Sequence, residues 1–332
     1  MTETTNEKPI LEIHSLEVIY SSRRTIVHAV NGIDLTLNRK ETLGLVGETG
    51  AGKTTTAFSI MQLLPERTGK ITRGEVIFDG LPLLKLSESE MQAIRGARIS
   101  MIFQDPMTSL NPVITIGDQI LEALKLHNVD GQRQSELQAR VDEILKLVGI
   151  NPERKKNYPH EFSGGMKQRV VIAIALACRP ELLIADEPTT ALDVTIQAQV
   201  LAMMEELKQK LNMSMIIITH DLGVVAKTCD KIAVLYAGEI IEYGTFDDFF
   251  NQSARRHPYT RGLYESIPNI FDETDRLKPI EGLMPDPTDL PTGCKFHPRC
   301  PRALSICQVQ HPVDHRLGKH TIKCHLFDKE NA

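Results

Sequence analysis

The sequence predicts an α/β fold: a mainly parallel sheet, an antiparallel β subdomain before it, a helical insert within it and a cysteine-rich extension after it. Three observations carry that expectation. The run Thr42 to Val46 leads through a glycine-rich loop into a helical pattern, the order of a parallel sheet feeding a helix. Three later apolar runs, Leu182 to Ala185, Met215 to Ile218 and Ile232 to Leu235, are short and separated by helical segments. The last 82 residues, Asn251 to Ala332, hold four of the six cysteines, nine of the eighteen prolines and six of the eleven histidines, which marks a compositionally separate unit.

Taken in order, Leu16, Val18 and Tyr20 fall on one face of a first strand and Ile33, Leu35 and Leu37 alternate along a second. The polar Ser21 to Arg24 between them predicts an antiparallel pair. A helix is expected from the glycine-rich loop through Ile60 to Leu64, ended by Pro65. Helices are also expected over Ile116 to Leu126 and Leu137 to Val148, the second with Leu137, Val141, Ile144 and Val148 on one face and Gly149 as its stop. These assignments divide the chain into a domain over 8–250, whose helical part spans about 106–165, and an extension over 251–332. No repeat of fixed period is present, which removes solenoids and propellers.

A chain of 332 residues is long enough for about two domains with full cores. Lys and Arg total 38 against 43 Asp and Glu, a net charge of −5, which argues against a chain built as a whole to bind nucleic acid. The longest uncharged apolar stretch, Val170 to Cys178, is far short of the roughly twenty residues a membrane-spanning helix needs. Met1 to Lys8 has no apolar signal region, so a cytoplasmic location is expected.

The segment Gly47-Glu-Thr-Gly-Ala-Gly-Lys-Thr54 satisfies G-x-x-x-x-G-K-T/S between a predicted strand and a predicted helix. Gly47, Gly50 and Gly52 let backbone N–H groups close round a polyanion at a helix N-terminus. Lys53 then reaches the β- and γ-phosphates of ATP, Thr54 takes a Mg2+ position, and Thr55 joins the nucleotide-binding set. Leu182-Leu-Ile-Ala-Asp186-Glu187 reads as a buried strand that delivers two carboxylates at its C-terminal end, Asp186 for Mg2+ and Glu187 to orient or deprotonate the attacking water. Glu161-Phe-Ser163-Gly-Gly165-Met-Lys-Gln-Arg169 opens a further helix, and Ser163 and Gly165 offer a second phosphate cradle.

With that third motif the sequence resembles the ABC transporter ATPases. The resemblance implies Gln104 as the Q-loop glutamine and a further Mg2+ ligand, Ala191-Leu-Asp193 as the D-loop, His220 as the switch histidine and Tyr20 as the aromatic that stacks on adenine. Taken alone, Tyr20 would pack on a strand face and His220 would be a satisfied histidine at a strand end. The signature departs from the commonest Leu-Ser-Gly-Gly-Gln by carrying Phe162 and Met166. This variant, with Gln104-Asp-Pro-Met-Thr-Ser-Leu-Asn-Pro112, Pro188 to Gln199 and Arg256-His-Pro-Tyr-Thr260, is similar to the ATP-binding subunits of dipeptide, oligopeptide and nickel permeases.

That similarity implies a motor subunit at the cytoplasmic face of the membrane. It would sandwich ATP head to tail with a second, different ATPase subunit, serve two transmembrane permease subunits and depend indirectly on an extracytoplasmic substrate-binding protein. Peptides are the expected cargo, with nickel or another small solute as the alternative. A soluble nucleic-acid-directed ABC ATPase is the rival class, but the doubled ATPase domains or long insertions usual there are missing. A module that binds ATP without turnover sits poorly with Lys53, Glu187 and His220 all present.

Cys294, Cys300, Cys307 and Cys324 are spaced C-x5-C-x6-C-x16-C, which matches neither the paired knuckles of common zinc sites nor a ferredoxin run. Their segment is Pro-rich and poor in apolar periodicity, so a metal clip in place of a core is expected. The permease resemblance implies a 4Fe-4S cluster here, with zinc and no metal as alternatives.

Overall fold

The computed structural model describes residues 8–105, 108–128, 131–190, 192–251, 255–266 and 279–328. Along the chain come β1 (Leu11–Ser21), β2 (Ile26–Leu37), β3 (Thr42–Val46), α1 (Lys53–Ile60), β4 (Gly69–Phe78), β5 (Leu81–Pro82), α2 (Glu88–Ile94) and β6 (Ile99–Ile102). Then follow α3 (Ile116–Leu126), α4 (Gln134–Leu147), α5 (Gly164–Leu176), β7 (Leu182–Asp186), α6 (Val194–Leu211), β8 (Ser214–Thr219) and α7 (Leu222–Thr228). Last are β9 (Lys231–Tyr236), β10 (Glu239–Thr245), α8 (Phe246–Phe250), α9 (Pro258–Glu265), β11 (Asp314–Leu317) and β12 (His320–Lys323). These residues divide into two compact units.

One unit comprises residues 8–10, Asn38–Thr42 and Lys85–Ile218. Its strands β6, β7 and β8 are parallel, with Ile102 opposite Ala185 and Asp186 opposite Ile218. Leu182 to Ala185 and Met215 to Ile218 are buried throughout, so both faces of these strands are covered, as their unbroken apolar runs require. Helix α4 forms where the periodicity placed it: Leu137, Val141 and Ile144 are buried on one face, each contributing roughly 1.5–3 kcal/mol of apolar burial. Val148 caps its C-terminus and Gly149 follows at φ 75°. Thr115 caps α3 by accepting the Asp118 N–H.

The other unit comprises Leu11–Leu37, Leu43–Leu84 and the described part of Thr219–Ala332. Here β2, β1, β4 and β5 form an antiparallel sheet in that order, as the alternation at Leu16, Val18, Ile33 and Leu35 predicts. The first strand begins earlier than its clean alternation suggests. Ser15 adopts φ 45° and gives its N–H to Asp34 Oδ1 at 2.9 Å, and this irregularity lets Ile13 and Leu16 both face the core. A second set runs β11, β12, β10, β9 and β3, in which β3 and β9 are parallel and the others antiparallel.

Helix α1 closes at Ile60 rather than Leu64. Gln62 turns to φ 49° and its side-chain amide donates to the Leu83 carbonyl, a bond from outside the helix that local periodicity does not carry. Among the described residues no helix is long and apolar enough to cross a membrane.

Candidate functional site

The glycine-rich loop joins β3 to α1 in the β1-containing unit. Gly47 is obligatory because a Cβ there would lie 2.3 Å from the Leu235 carbonyl oxygen of β9. Gly52, the N-cap of α1, holds φ 101° and would meet the Ala29 carbonyl at 2.6 Å. The chain therefore turns tightly and leaves the first N–H groups of α1 without helical acceptors. Lys53 is buried and donates from Nζ to Gly47 O at 2.6 Å and Glu48 O at 3.0 Å, which folds its ammonium over the loop. An ammonium, the Thr54 and Thr55 hydroxyls and helix N-terminal amides make a donor set that fits a polyphosphate. Tyr20, near the end of β1, lies beside this set, its hydroxyl 3.3 Å from Thr55 Oγ1.

The same unit carries His220, exposed in the turn after Thr219. Asp221 fixes that turn by accepting the Gly223 N–H at 2.7 Å and donating its own N–H to Thr219 Oγ1 at 3.0 Å.

In the unit of parallel strands, Asp186 is buried at the C-terminal end of β7. Glu187 follows at φ 47°, a left-handed conformation that costs a non-glycine residue on the order of 1 kcal/mol or more. Its N–H donates to Ile218 O at 2.9 Å, and its carbonyl accepts from Thr190 Oγ1 at 3.0 Å and from the Thr190 N–H at 3.2 Å, contacts that hold it there. The flip turns the backbone sharply immediately after Asp186. Gln104 Nε2 donates to Glu187 Oε2 at 3.3 Å, so this unit brings the two residues together.

Ser163 is the exposed N-cap of α5, and its side chain makes no capping hydrogen bond. Gly165 has a packing reason besides any phosphate: a Cβ there would lie 2.6 Å from Ile196 Cγ2 on α6. The two unusual signature residues share one partner. The Arg154 guanidinium lies 4.1 Å over the Phe162 ring, donates to Met166 Sδ at 3.3 Å and donates to the Glu161 carbonyl at 2.9 Å. In the D-loop, Asp193 caps α6 by accepting the Ile196 N–H at 2.9 Å; Ala191 lies outside the described residues, as do Pro106 and Met107 after Gln104.

The cysteine-rich segment corrects the sequence reading. Among the described residues no group of three or more Cys, His, Asp or Glu side chains is arranged to hold a metal, so the expected 4Fe-4S cluster has no support and zinc has none either. Cys294, Cys300, Cys307 and Cys324 are free thiols. Burial pushes Cys294 up to about 11 and Cys324 up to about 12, which keeps these sulfurs protonated. The segment is ordered by packing instead. Phe296 is buried 5.1 Å from the Tyr236 ring and 5.4 Å from the Tyr259 ring, and Cys294 N–H donates to Cys307 O at 2.9 Å. Judging the segment unable to build a core overlooked partners that come from β9 and α9.

Sequence reasoning missed Tyr259 and Arg299. Arg299 Nη1 and Nη2 donate to Glu48 Oε2 and Oε1 at 2.7 and 3.1 Å, and Tyr259 Oη accepts the Glu48 N–H at 2.9 Å. A signal was present only for Tyr259, which stands in the Arg256 to Thr260 string.

Comparison with known proteins identifies relatives along most of the chain. The family profile described as "ABC transporter" matches residues 30–190, and that described as "Oligopeptide/dipeptide transporter, C-terminal region" matches 241–307. The oligopeptide transport ATP-binding protein AppD of Bacillus subtilis is 47% identical over 97% of this chain and 98% of its own. The dipeptide transport ATP-binding protein DppD of the same organism is 49% identical over 96% and 95%. The oligopeptide transport ATP-binding protein OppD of Salmonella typhimurium is 47% identical over 95% and 94%. Among solved structures, a dimeric ATP-binding cassette in a post-hydrolysis state with ADP and Pi bound has a TM-score of 0.64 at 27% identity, covering 71% of this chain and 98% of its own.

Proposed function

The chain belongs to the ABC transporter ATP-binding subunits, in their oligopeptide and dipeptide branch, and from that premise we propose how its residues drive peptide import. It is the ATP-hydrolysing subunit of a peptide importer. The observation that carries the mechanism is Glu187, held by its neighbours in a strained conformation beside Gln104, in a chain that also carries the glycine-rich loop Gly47 to Thr54.

Lys53 exchanges its loop carbonyls for the β- and γ-phosphate oxygens when ATP enters, and the loop amides take the remaining charge. Tyr20 stacks on the adenine. Thr54, Asp186 and Gln104 would hold Mg2+, which when bound neutralises charge on the β- and γ-phosphates. Glu187 orients the attacking water and accepts its proton, while His220 steadies the γ-phosphate as charge shifts.

Ser163 and Gly165 act on nucleotide held by a second ATPase subunit, since Ser163 is exposed at a helix N-terminus and a second cradle is redundant within one site. Residues 8–250 form the nucleotide-binding domain, with the helical part of about 106–165 passing force to two permease subunits, and 251–332 form the extension. Docking on those permeases keeps the chain at the cytoplasmic face of the membrane. An extracytoplasmic binding protein delivers the peptide. The relatives described above carry peptide names, which favours peptides over nickel as cargo.

Co-expression with a cognate permease pair and second ATPase subunit tests this reading. Peptide-stimulated ATPase activity in proteoliposomes supports it; an assembly that hydrolyses ATP in response to nickel and not to peptide overturns the cargo assignment.

A further inference from the structure

The Glu48 carboxylate is the only acidic side chain in the loop Gly47 to Thr54, and it belongs to a segment read above as binding a polyanion. Left free, it would repel the phosphates that the loop amides attract. Arg299 engages it through two parallel N–H···O bonds, the geometry in which guanidinium and carboxylate pair most strongly. The Arg299 side chain is only 4% exposed, against 33% for Glu48. Its position is set independently of Glu48, because Nε donates to Glu281 O at 3.0 Å and Nη2 to Ile280 O at 3.3 Å.

A second hold acts on the backbone of the same residue. Tyr259 Oη accepts the Glu48 N–H, and the Tyr259 ring is fully buried, 4.7 Å from Tyr236 and 5.4 Å from Phe296. Burial, with the nearby Glu48 carboxylate, raises the Tyr259 pKa, so it stays a neutral phenol. The carbonyls of Gly47 and Glu48 are the acceptors of the Lys53 ammonium. Tyr259, Arg299, Glu48 and Lys53 thus form one connected path from the C-terminal region to the phosphate-binding lysine.

We propose that Arg299 and Tyr259 are positioning residues for nucleotide binding: the C-terminal region clamps Glu48, turns its charge away from the phosphates and fixes the two carbonyls from which Lys53 is aimed. The inference rests on reading Gly47 to Thr54 as the ATP loop. It assigns the region after β10 a part in nucleotide affinity.

The test uses the full-length chain, a fluorescent ATP analogue titrated to equilibrium, and the melting temperature of each nucleotide-free variant. Arg299→Met should weaken nucleotide binding about tenfold, because it leaves an uncompensated carboxylate in the loop. Glu48→Gln in that background should restore most of the loss, a rescue that a purely structural staple does not produce. Tyr259→Phe, which removes one acceptor, should weaken binding about threefold with little change in melting. Arg299→Met with a lower melting temperature and unchanged affinity, or no rescue by Glu48→Gln, overturns the proposal. Should Arg299→Met fail to fold, unchanged affinity in Tyr259→Phe overturns it equally. Lys53→Ala is the separate control: if it binds nucleotide as the parent does, the ATP-loop reading fails instead.

Discussion

Gln104 donates its side-chain amide hydrogen to the Glu187 carboxylate across 3.3 Å, and Glu187 holds that position in a left-handed backbone conformation. The pair links Gln104, two residues past the end of β6, to Glu187, the residue after β7, so a displacement of Gln104 is felt at the Glu187 carboxylate.

Glu187→Gln is expected to leave ATP binding intact and slow hydrolysis by roughly 10²- to 10⁴-fold. The amide oxygen can still accept from Gln104 and hold the water, but it cannot take a proton. Single-turnover hydrolysis in the assembled transporter, compared with equilibrium binding, separates the two effects. Hydrolysis at the parent rate would remove Glu187 from the role of base.

Ser163→Arg should prevent closure of the ATPase pair while leaving nucleotide binding to the subunit's own loop unchanged. The exposed N-cap of α5 has no room requirement inside its own unit, so the added bulk acts on what faces it. Cross-linking of ATP-locked complexes provides the check. A crosslink from Ser163 to the partner's phosphate loop supports the arrangement, and one to its own Lys53 defeats it.

Arg154→Met tests the local support of the signature. It removes a guanidinium stacked on Phe162, a contact to Met166 and a hydrogen bond to the Glu161 carbonyl. A loss of about 1–2 kcal/mol in urea unfolding is expected, together with reduced ATPase activity. Unchanged stability would mean that Phe162 and Met166 are held by other contacts.

His257 makes stability depend on pH. Its ring is completely buried, Nδ1 accepts the Tyr259 N–H at 3.1 Å, and desolvation lowers its pKa from 6.5 to about 3. The neutral form is favoured in the folded state, so the unfolded chain binds more protons between these values. Stability is therefore full above pH 6.5 and falls by about 1.4 kcal/mol per unit as pH drops from 6.5 toward 3. Denaturant unfolding across pH 4–7 measures the slope. His257→Asn keeps a capping acceptor for α9 and should flatten it; an unchanged slope assigns the effect to other groups.

Much of this molecule is written locally. The alternation in β1 and β2, the face of α4 from Leu137 to Ile144, and the strand–loop–helix around Gly47 to Lys53 each depend on residues within a few positions of one another, where periodicity and turn chemistry act. Adjacent strings such as Asp186-Glu187 and Ser163-Gly-Gly165 likewise point to chemistry before any fold is known. Local pattern failed where the deciding contact came from a distance. The clustering of four cysteines in a Pro-rich segment suggested a metal because the segment showed no core of its own, yet Tyr236 and Tyr259 supply one for Phe296. Glu48 fills a variable position of the loop motif, to which the motif assigns no partner, and Arg299, which pairs with it, stands 251 residues away. Residue type and spacing determined the nucleotide motifs and most of the elements, because those are short-range properties of the chain; only tertiary structure decided what the C-terminal region holds, because burial and pairing across such separations arise when the chain closes on itself and leave no trace in any window of sequence.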